Sequence, residues 1–142
     1  MTSYPVSFRA EAKSPSGMNS VWNVESVGTK MTCAIPPEFD GPGGGLSPED
    51  LFAQALTNCF VATFKVYAEK SKLVFGALEV KSELVVGIGD AGKPVMQSCL
   101  MKVEITGCEK PDRIRTIAQK AFETGFILNS VKTKLDLEVV AT

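Results

Sequence analysis

The chain has 142 residues, enough for one domain with its own hydrophobic core and short for two. Its 15 Lys and Arg against 16 Asp and Glu give a formal net charge of -1 at pH 7, without the basic excess that binds nucleic acids or anionic membranes. We therefore expect a single domain over residues 1–142, with no nucleic-acid partner and no membrane partner.

The N-terminal segment MTSYPVSFRAEAKSPSG shows neither a basic stretch followed by an apolar one nor a run of about eighteen apolar residues. We therefore expect a cytoplasmic protein whose cysteines are mostly free thiols. The sequence contains no histidine, and zinc would need four cysteines from scattered segments, so no metal and no other cofactor is expected. These four cysteines are Cys33, Cys59, Cys99 and Cys108.

The N-terminal third predicts three short antiparallel strands. Residues 4–12 alternate apolar and polar side chains, as a half-buried strand does, and the turn SPSG follows. Two further strands are predicted at 20–27 and 29–35. The loop PPEFDGPGGG comes next, but no Lys-Ser or Lys-Thr follows its glycines, so it differs from a phosphate-binding loop. We interpret it as a mobile loop.

The segment SPED is the strongest local signal, and it predicts the start of a helix. Ser47 fits the N-cap, Pro48 the first helical position, and Glu49 and Asp50 the first turn, where they complement the helix dipole. The helix can run to residue 70, and apolar residues cover most of its circumference. Such a helix is buried on several sides, of which one sheet covers only one. We therefore predict a tight homodimer.

The second half predicts a long hairpin, a second helix and a last strand. Alternation places strands at 78–88 and 95–105, on either side of the turn GDAGKP. Apolar residues at helical spacing follow from Pro111 up to Gly125, which fits the position after a helix end. The last strand is predicted at 131–140. The order βββ-α-ββ-α-β predicts an α+β fold of antiparallel strands around a long buried central helix.

A family resemblance is carried by residues 36–73, PPEFDGPGGGLSPEDLFAQALTNCFVATFKVYAEKSKL. This segment resembles the signature of the OsmC/Ohr superfamily, the osmotically inducible protein C and organic hydroperoxide resistance proteins, and NSVKT at 129–133 resembles the stretch before the family's last strand. The resemblance implies an intertwined homodimer with long central helices packed against sheets from both chains. It also implies a peroxiredoxin-like cysteine peroxidase of the oxidative stress response. In its cycle one cysteine becomes a sulfenic acid, a second resolves it as a disulfide, and a dithiol regenerates the enzyme.

The family's site residues carry over only in part. By resemblance, Cys59 matches the peroxide-reactive cysteine, and Glu49 matches the acidic residue that pairs an arginine beside the thiolate. The resolving cysteine belongs in ETGFILNS, which has none, and Gly125 aligns with it. The arginine belongs in the turn after the first strand, which reads AKSPSGMN. Lys13 near that position, and Arg9 on the outward face of the strand, are the candidate thiolate partners instead.

Cys59 needs such a partner, because a free cysteine has a pKa of about 8.5 and only a few per cent is thiolate at pH 7. The N-terminus of the predicted helix is too distant, since Ser47 lies about 18 Å away along the axis at ~1.5 Å per residue and the dipole acts within about one turn. No histidine is present to act as a base. Lys65 is a third candidate cation.

Two functions from different classes remain open. In the first, Cys59 reduces an organic hydroperoxide in an apolar pocket at the dimer interface, and a small thiol, Cys33 or Cys99 resolves the sulfenic acid. In the second, a non-catalytic member binds a small apolar ligand in that pocket, and Cys59 is core packing, as buried free cysteines commonly are. The missing cysteine and arginine favour the second function. Cys59, Glu49 and the glycine-rich loop favour the first, which we prefer.

Overall fold

The computed structural model describes residues 2–142, and its elements follow the order βββ-α-ββ-α-β, which confirms the predicted α+β class. Strands β1, β2 and β3 are Glu11–Lys13, Trp22–Ser26 and Thr29–Cys33. Helix α1 is Pro48–Lys70, strands β4 and β5 are Ala77–Ile88 and Pro94–Thr106, helix α2 is Pro111–Thr124, and strand β6 is Lys134–Ala141. Short 3-10 turns occupy Pro37–Phe39 and Leu128–Ser130.

The chain divides into two compact units, one that runs to Leu51 and one from Phe52 to Thr142. The predicted single domain over residues 1–142 stays a prediction. Within residues 2–142, no helix combines the length and the apolar character needed to cross a membrane.

The first unit holds β1, β2 and β3 in one antiparallel sheet, in that order. Strand β1 is shorter than predicted, because the alternation over 4–12 forms a strand only from Glu11. The register explains the difference. Glu11 pairs with Glu25, and β2 ends one residue later at Ser26. Residues 2–9 therefore extend beyond the end of β2, where the described part of the chain offers them no strand to pair with. Phe8, on the face predicted to point inward, is 89% exposed.

The Pro/Gly loop is hydrogen-bonded to β3 at its C-terminal end. The Ala34 N–H donates to the Leu46 carbonyl and the Leu46 N–H donates to the Thr32 carbonyl, both at 3.0 Å. A Cβ atom on Gly45 would lie 2.8 Å from the Thr32 carbonyl oxygen, so only glycine allows this close approach. The last residues of the loop thereby lead the chain directly into the start of α1.

Helix α1 begins at the predicted residue. The Ser47 Oγ accepts a hydrogen bond from the Asp50 N–H at 3.0 Å, and the Asp50 Oδ2 accepts one from the Ser47 N–H at 2.9 Å. Pro48 is the first helical residue, and the helix ends at Lys70, as predicted. This reciprocal capping pair satisfies two N–H groups that the helix leaves unpaired.

The second unit packs its two helices around one hydrophobic core with the sheet β4-β5-β6. On α1 the buried residues recur every four positions, and on β5 every second position, as the helix and strand periods require. The fully or nearly fully buried members are Leu56, Phe60, Phe64 and Ala68 from α1, Cys99, Met101, Val103 and Ile105 from β5, and Ile114, Ala118 and Ala121 from α2.

Strand β6 pairs with β5 in parallel, whereas the sequence predicted antiparallel strands throughout. The hairpin β4-β5 is antiparallel, as predicted. Helix α2 lies between β5 and β6 in the chain. It returns the chain to the end of the sheet at which β5 begins, so that β6 runs in the same direction as β5. A parallel pair needs a crossover of this length, whereas a tight turn can join only antiparallel strands.

Helix α1 was predicted to be buried on several sides, and within one chain it buries a single stripe. Val66 is 47% exposed, and Ala62 is also exposed. The predicted homodimer, which would cover these residues, stays a prediction.

Candidate active site around Cys59

Cys59 lies in the middle of α1, next to the buried stripe, and packs against the core of the second unit. Its helical neighbours Leu56 and Phe60 are fully buried, whereas Cys59 itself is half-buried. The core therefore holds the side chain in place without sealing it from solvent. A reactive cysteine requires this combination of fixed position and access.

The backbone N–H of Ile127 donates a hydrogen bond to the Cys59 Sγ, with an N···S distance of 3.3 Å. Ile127 is 68 residues further along the chain, in the turn that follows α2. A hydrogen bond from an N–H group stabilises a negatively charged sulfur more than a neutral one. A neutral backbone donor thus contacts the sulfur within this chain.

Gly125 contacts the same sulfur from another direction. A Cβ atom at this position would lie 2.9 Å from the Cys59 Sγ and 3.0 Å from the Leu128 Cδ1. Gly125 directly follows α2, as predicted, but its φ of -57° and ψ of 135° are not the left-handed conformation of a helix-end glycine. That predicted reason for the glycine is wrong. A side chain at this position would force the Cys59 thiol or the Leu128 side chain to shift, which glycine avoids.

The turn that contacts Cys59 is held by its own backbone. The Gly125 N–H donates to the Ala121 carbonyl at 3.0 Å, and the Asn129 N–H donates to the Gly125 carbonyl at 2.8 Å. Leu128 is buried in the core and anchors the middle of the turn. These contacts anchor the turn on either side of the Ile127 N–H that faces the sulfur.

Tyr67 joins α1 to the end of α2, about two helical turns after Cys59. Its hydroxyl lies 2.5 Å from the Thr124 Oγ1, and the Lys120 Nζ lies 4.8 Å from the centre of its ring. This distance is within the range of a cation–π interaction. Together these contacts fix the end of α2, and with it the start of the turn at residues 125–130, which we call the Gly125 turn.

Two apolar side chains of the same turn face solvent. Phe126 is 76% exposed and Ile127 is 42% exposed. Single exposed apolar residues are common, but these two are adjacent in the turn that contacts a half-buried thiol. They offer apolar surface to the organic part of a ligand.

The other predicted site residues lie on different elements. Glu49 is in the first turn of α1, Lys13 ends β1, and Arg9 precedes β1 rather than lying on a strand, which corrects the prediction for Arg9. All three belong to the first unit, and Cys59 belongs to the second. Lys65 is an exposed residue of α1. The role of Glu49 and the pairing of Cys59 with a cation stay predictions.

The remaining cysteines are free thiols in other surroundings. Cys33 and Cys99 are buried. Burial raises the pKa of the Cys99 thiol, which therefore stays protonated near neutral pH. Because the thiolate is the attacking species, Cys99 is a poor resolving group. Cys108 is half-buried, and its Sγ makes a weak hydrogen bond of 3.5 Å to the Ile105 carbonyl.

The sequence could not have identified Ile127 as a hydrogen-bond donor to Cys59, because every residue except proline has a backbone N–H. The sequence did indicate that position 125 belongs to the site, since Gly125 aligns with the position of a cysteine in the family that the sequence resembles. Its contact with the sulfur depends on the approach of two helices that are distant in the chain. That approach is visible only in the folded protein.

The family model described as OsmC-like protein matches residues 41–140 of the chain. The match includes α1 with Cys59, the hairpin, α2 and the Gly125 turn. The chain therefore belongs to the OsmC-like protein family, and the resemblance found in the sequence is confirmed.

Individual relatives agree with this assignment. The uncharacterized protein YmaD of Bacillus subtilis is 32% identical over 81 residues, 57% of this chain and 54% of the relative, so the match spans about half of that protein. An organic hydroperoxide resistance protein of Xanthomonas axonopodis pv. citri is 29% identical over 105 residues, 73% of this chain and 72% of that protein. Among solved structures, an OsmC-like protein of unknown function from Vibrio cholerae has a TM-score of 0.85 at 20% identity, with 96% of this chain and 100% of that chain covered. This likeness confirms the fold.

Proposed function

We propose that the protein reduces organic hydroperoxides, with Cys59 as the reactive thiol and an external thiol as the reductant. The observation that carries the proposal is a half-buried Cys59 whose Sγ accepts the Ile127 N–H at 3.3 Å. Membership of the OsmC-like family, and a relative named organic hydroperoxide resistance protein, support this substrate class. The exposed Phe126 suits a substrate with an apolar organic group.

In the first step, the Cys59 thiolate attacks one oxygen of the peroxide. The S–O bond forms as the O–O bond breaks, so the sulfur is oxidised to a sulfenic acid and the peroxide is reduced to an alcohol. The attacked oxygen keeps its own hydrogen in the sulfenic acid, and the departing alkoxide takes up one proton from solvent. The Ile127 N–H stabilises the anionic sulfur before the attack.

Regeneration uses an external thiol, because position 125 carries no side chain that could resolve the sulfenic acid. The external thiol attacks the Cys59 sulfur, water leaves, and a mixed disulfide forms. A second thiol then releases reduced Cys59 and the disulfide of the reductant. Cys99 is an unsuitable substitute, since it is buried and burial raises its pKa.

The test is the consumption of cumene hydroperoxide in the presence of dithiothreitol. We expect catalytic consumption by the unaltered protein and a fall to the uncatalysed rate in Cys59→Ser, because the nucleophile is removed. Cys108→Ser is the matched control, since Cys108 is also a half-buried free thiol, and it should retain the activity.

Equal consumption by Cys59→Ser and the unaltered protein would contradict the role of Cys59. Binding of cumyl alcohol by a protein that consumes no hydroperoxide would instead support the non-catalytic alternative, a small-ligand site. The exposed side chains of Phe126 and Ile127 are the observation that favours that alternative.

We also propose that the protein acts as a homodimer that covers the outer face of α1. Val66 is 47% exposed on this face, and obligate interfaces are more apolar than ordinary surface and bury on the order of 2,000 Å² or more. Sedimentation velocity at micromolar concentration should give twice the mass of the chain. Val66→Asp should weaken the dimer at least tenfold, whereas Val74→Asp, an exposed valine outside the helix, should not. A folded monomer at that concentration would rule the dimer out.

A further inference from the structure

The backbone nitrogen of Ile127 is placed to react with an oxidised Cys59. It lies 3.3 Å from the Cys59 Sγ, and position 125, which also contacts the sulfur, has no thiol to offer. We propose that the sulfenic acid of Cys59 condenses with the backbone nitrogen of Ile127 to form a cyclic sulfenamide. The inference rests on the proposed function, which supplies the sulfenic acid.

The condensation is balanced without any further oxidant. An S–N bond forms between the Cys59 Sγ and the Ile127 nitrogen, the S–OH and N–H bonds break, and the hydroxyl and the proton leave as water. The sulfur keeps the oxidation level that it reached with the hydroperoxide. In the reverse direction, an external thiol attacks the sulfur, the S–N bond breaks, and the amide nitrogen regains a proton. A second thiol then frees Cys59 from the mixed disulfide.

The Ile127 N–H can be removed without breaking a helix. Among residues 2–142, its hydrogen bond to the Cys59 Sγ is the one bond that this N–H donates. The neighbouring bonds of the turn use the N–H groups of Gly125, Asn129 and Ser130 instead. Loss of the Ile127 proton therefore leaves the backbone hydrogen bonds of the turn in place.

Bond formation requires the peptide group before Ile127 to tilt toward the sulfur. The side chains on either side of it, Phe126 and Ile127, face solvent, while the core anchor of the turn is the next residue, Leu128. The tilt matters because the hydrogen bond directs the proton at the sulfur, whereas bond formation needs the nitrogen itself. The carbonyl of this peptide accepts a hydrogen bond from the Ser130 Oγ at 2.6 Å, so the tilt costs that exposed side-chain bond and leaves the core in place.

A sulfenamide would protect the oxidised Cys59 from further oxidation, as a disulfide with a resolving cysteine does in two-cysteine peroxidases. A second hydroperoxide molecule converts a sulfenic acid to a sulfinic acid, which thiols do not reduce. The S–N bond protects the sulfur from that reaction until an external thiol arrives. The sulfenamide thus gives this chain a reversible resting state after oxidation.

The first experiment treats the reduced protein with one equivalent of cumene hydroperoxide in the absence of added thiol. We expect one equivalent of cumyl alcohol and a protein mass that is lower by two hydrogens. Peptide mapping should find the segment with Cys59 linked to the segment with Ile127, and dithiothreitol should reverse the link. A disulfide gives the same loss of mass, and the peptide map tells the two apart.

Substitution of Ile127 tests the nitrogen directly. Ile127→Pro removes the N–H, and the φ of -72° at this residue is one that proline adopts. Its first turnover should be slower, because the thiolate loses its donor, so the reaction is followed to full alcohol release before the mass is measured. We then expect no loss of two hydrogens, and a gain of two oxygens with a second equivalent. Ile127→Ala keeps the N–H, and after full alcohol release it should form the same link as the unaltered protein, because the side chain takes no part in the S–N bond.

The outcomes separate the two proposals. If alcohol forms in full but Cys59 gains oxygen or joins another cysteine, the sulfenamide is overturned and the peroxide reaction stands. If no alcohol forms, the proposed function itself is overturned, and the sulfenamide with it. The linked peptides in the unaltered protein decide the matter even if Ile127→Pro does not fold.

Discussion

Replacement of Gly125 by cysteine is expected to create an internal disulfide with Cys59 in the first reaction with an organic hydroperoxide. A Cβ atom at position 125 would lie 2.9 Å from the Cys59 Sγ. With an S–S bond of about 2.05 Å, each Cβ of an unstrained disulfide lies about 3 Å from the partner sulfur. The new thiol would attack the Cys59 sulfenic acid, and water would leave as the S–S bond forms.

Peptide mapping under non-reducing conditions should show the link from Cys59 to residue 125 after one equivalent of cumene hydroperoxide. Closure of this loop of about 67 residues should stabilise the oxidised form by about 4 kcal/mol over the reduced form of the same variant. Gly125→Ser is the matched control, because its side chain has a similar size and cannot form the bond. It should lose about 1–3 kcal/mol through overpacking against Leu128. An oxidised Gly125→Cys protein without the link would show that the approach of Gly125 to the sulfur is wrong.

Phe60→Ala is expected to lower the free energy of unfolding by about 3–5 kcal/mol. Phe60 is fully buried in α1, next to Cys59, and its ring centre lies 6.0 Å from that of Phe64 in a stacked pair. Removal of the ring leaves a cavity that the two helices and the sheet fill only partly. Urea unfolding followed by circular dichroism measures the loss.

Phe126→Ala is the control for this prediction, because it makes the same chemical change at a residue that is 76% exposed. It should alter the free energy of unfolding by less than about 0.5 kcal/mol. A similar cost for both substitutions would contradict the assignment of Phe60 to the core.

The parts of the fold that local signals determine were predicted from the sequence. The N-cap at Ser47, the start of α1 at Pro48 and its end at Lys70 agree with the structure, because capping and helix propensity act within a few residues. The hairpin was predicted for the same reason, since its alternation and its turn are both local. Its strands begin and end within a residue or so of the predicted positions.

The parts that depend on distant partners were not predicted. Strand β1 starts only at Glu11, because its length is set by where β2 ends. The parallel direction of β6 depends on the path that α2 takes across the sheet, which periodicity does not reveal. The same limit applies to the site. Cys59 could be named from the sequence, whereas the contacts of its sulfur with Gly125 and Ile127 arise from tertiary packing.

The 68 residues between Cys59 and Ile127 also determine when in folding the thiol acquires its surroundings. The hairpin β4-β5 closes through a short turn at a small entropic cost and can form early. The contact between Cys59 and Ile127 must wait for a much larger loop to close, because the hairpin and α2 lie between the two residues. We therefore expect Cys59 to lack its amide donor until the second unit has largely folded. The surroundings of the Cys59 sulfur are then expected to be a property of the native state, completed late in folding.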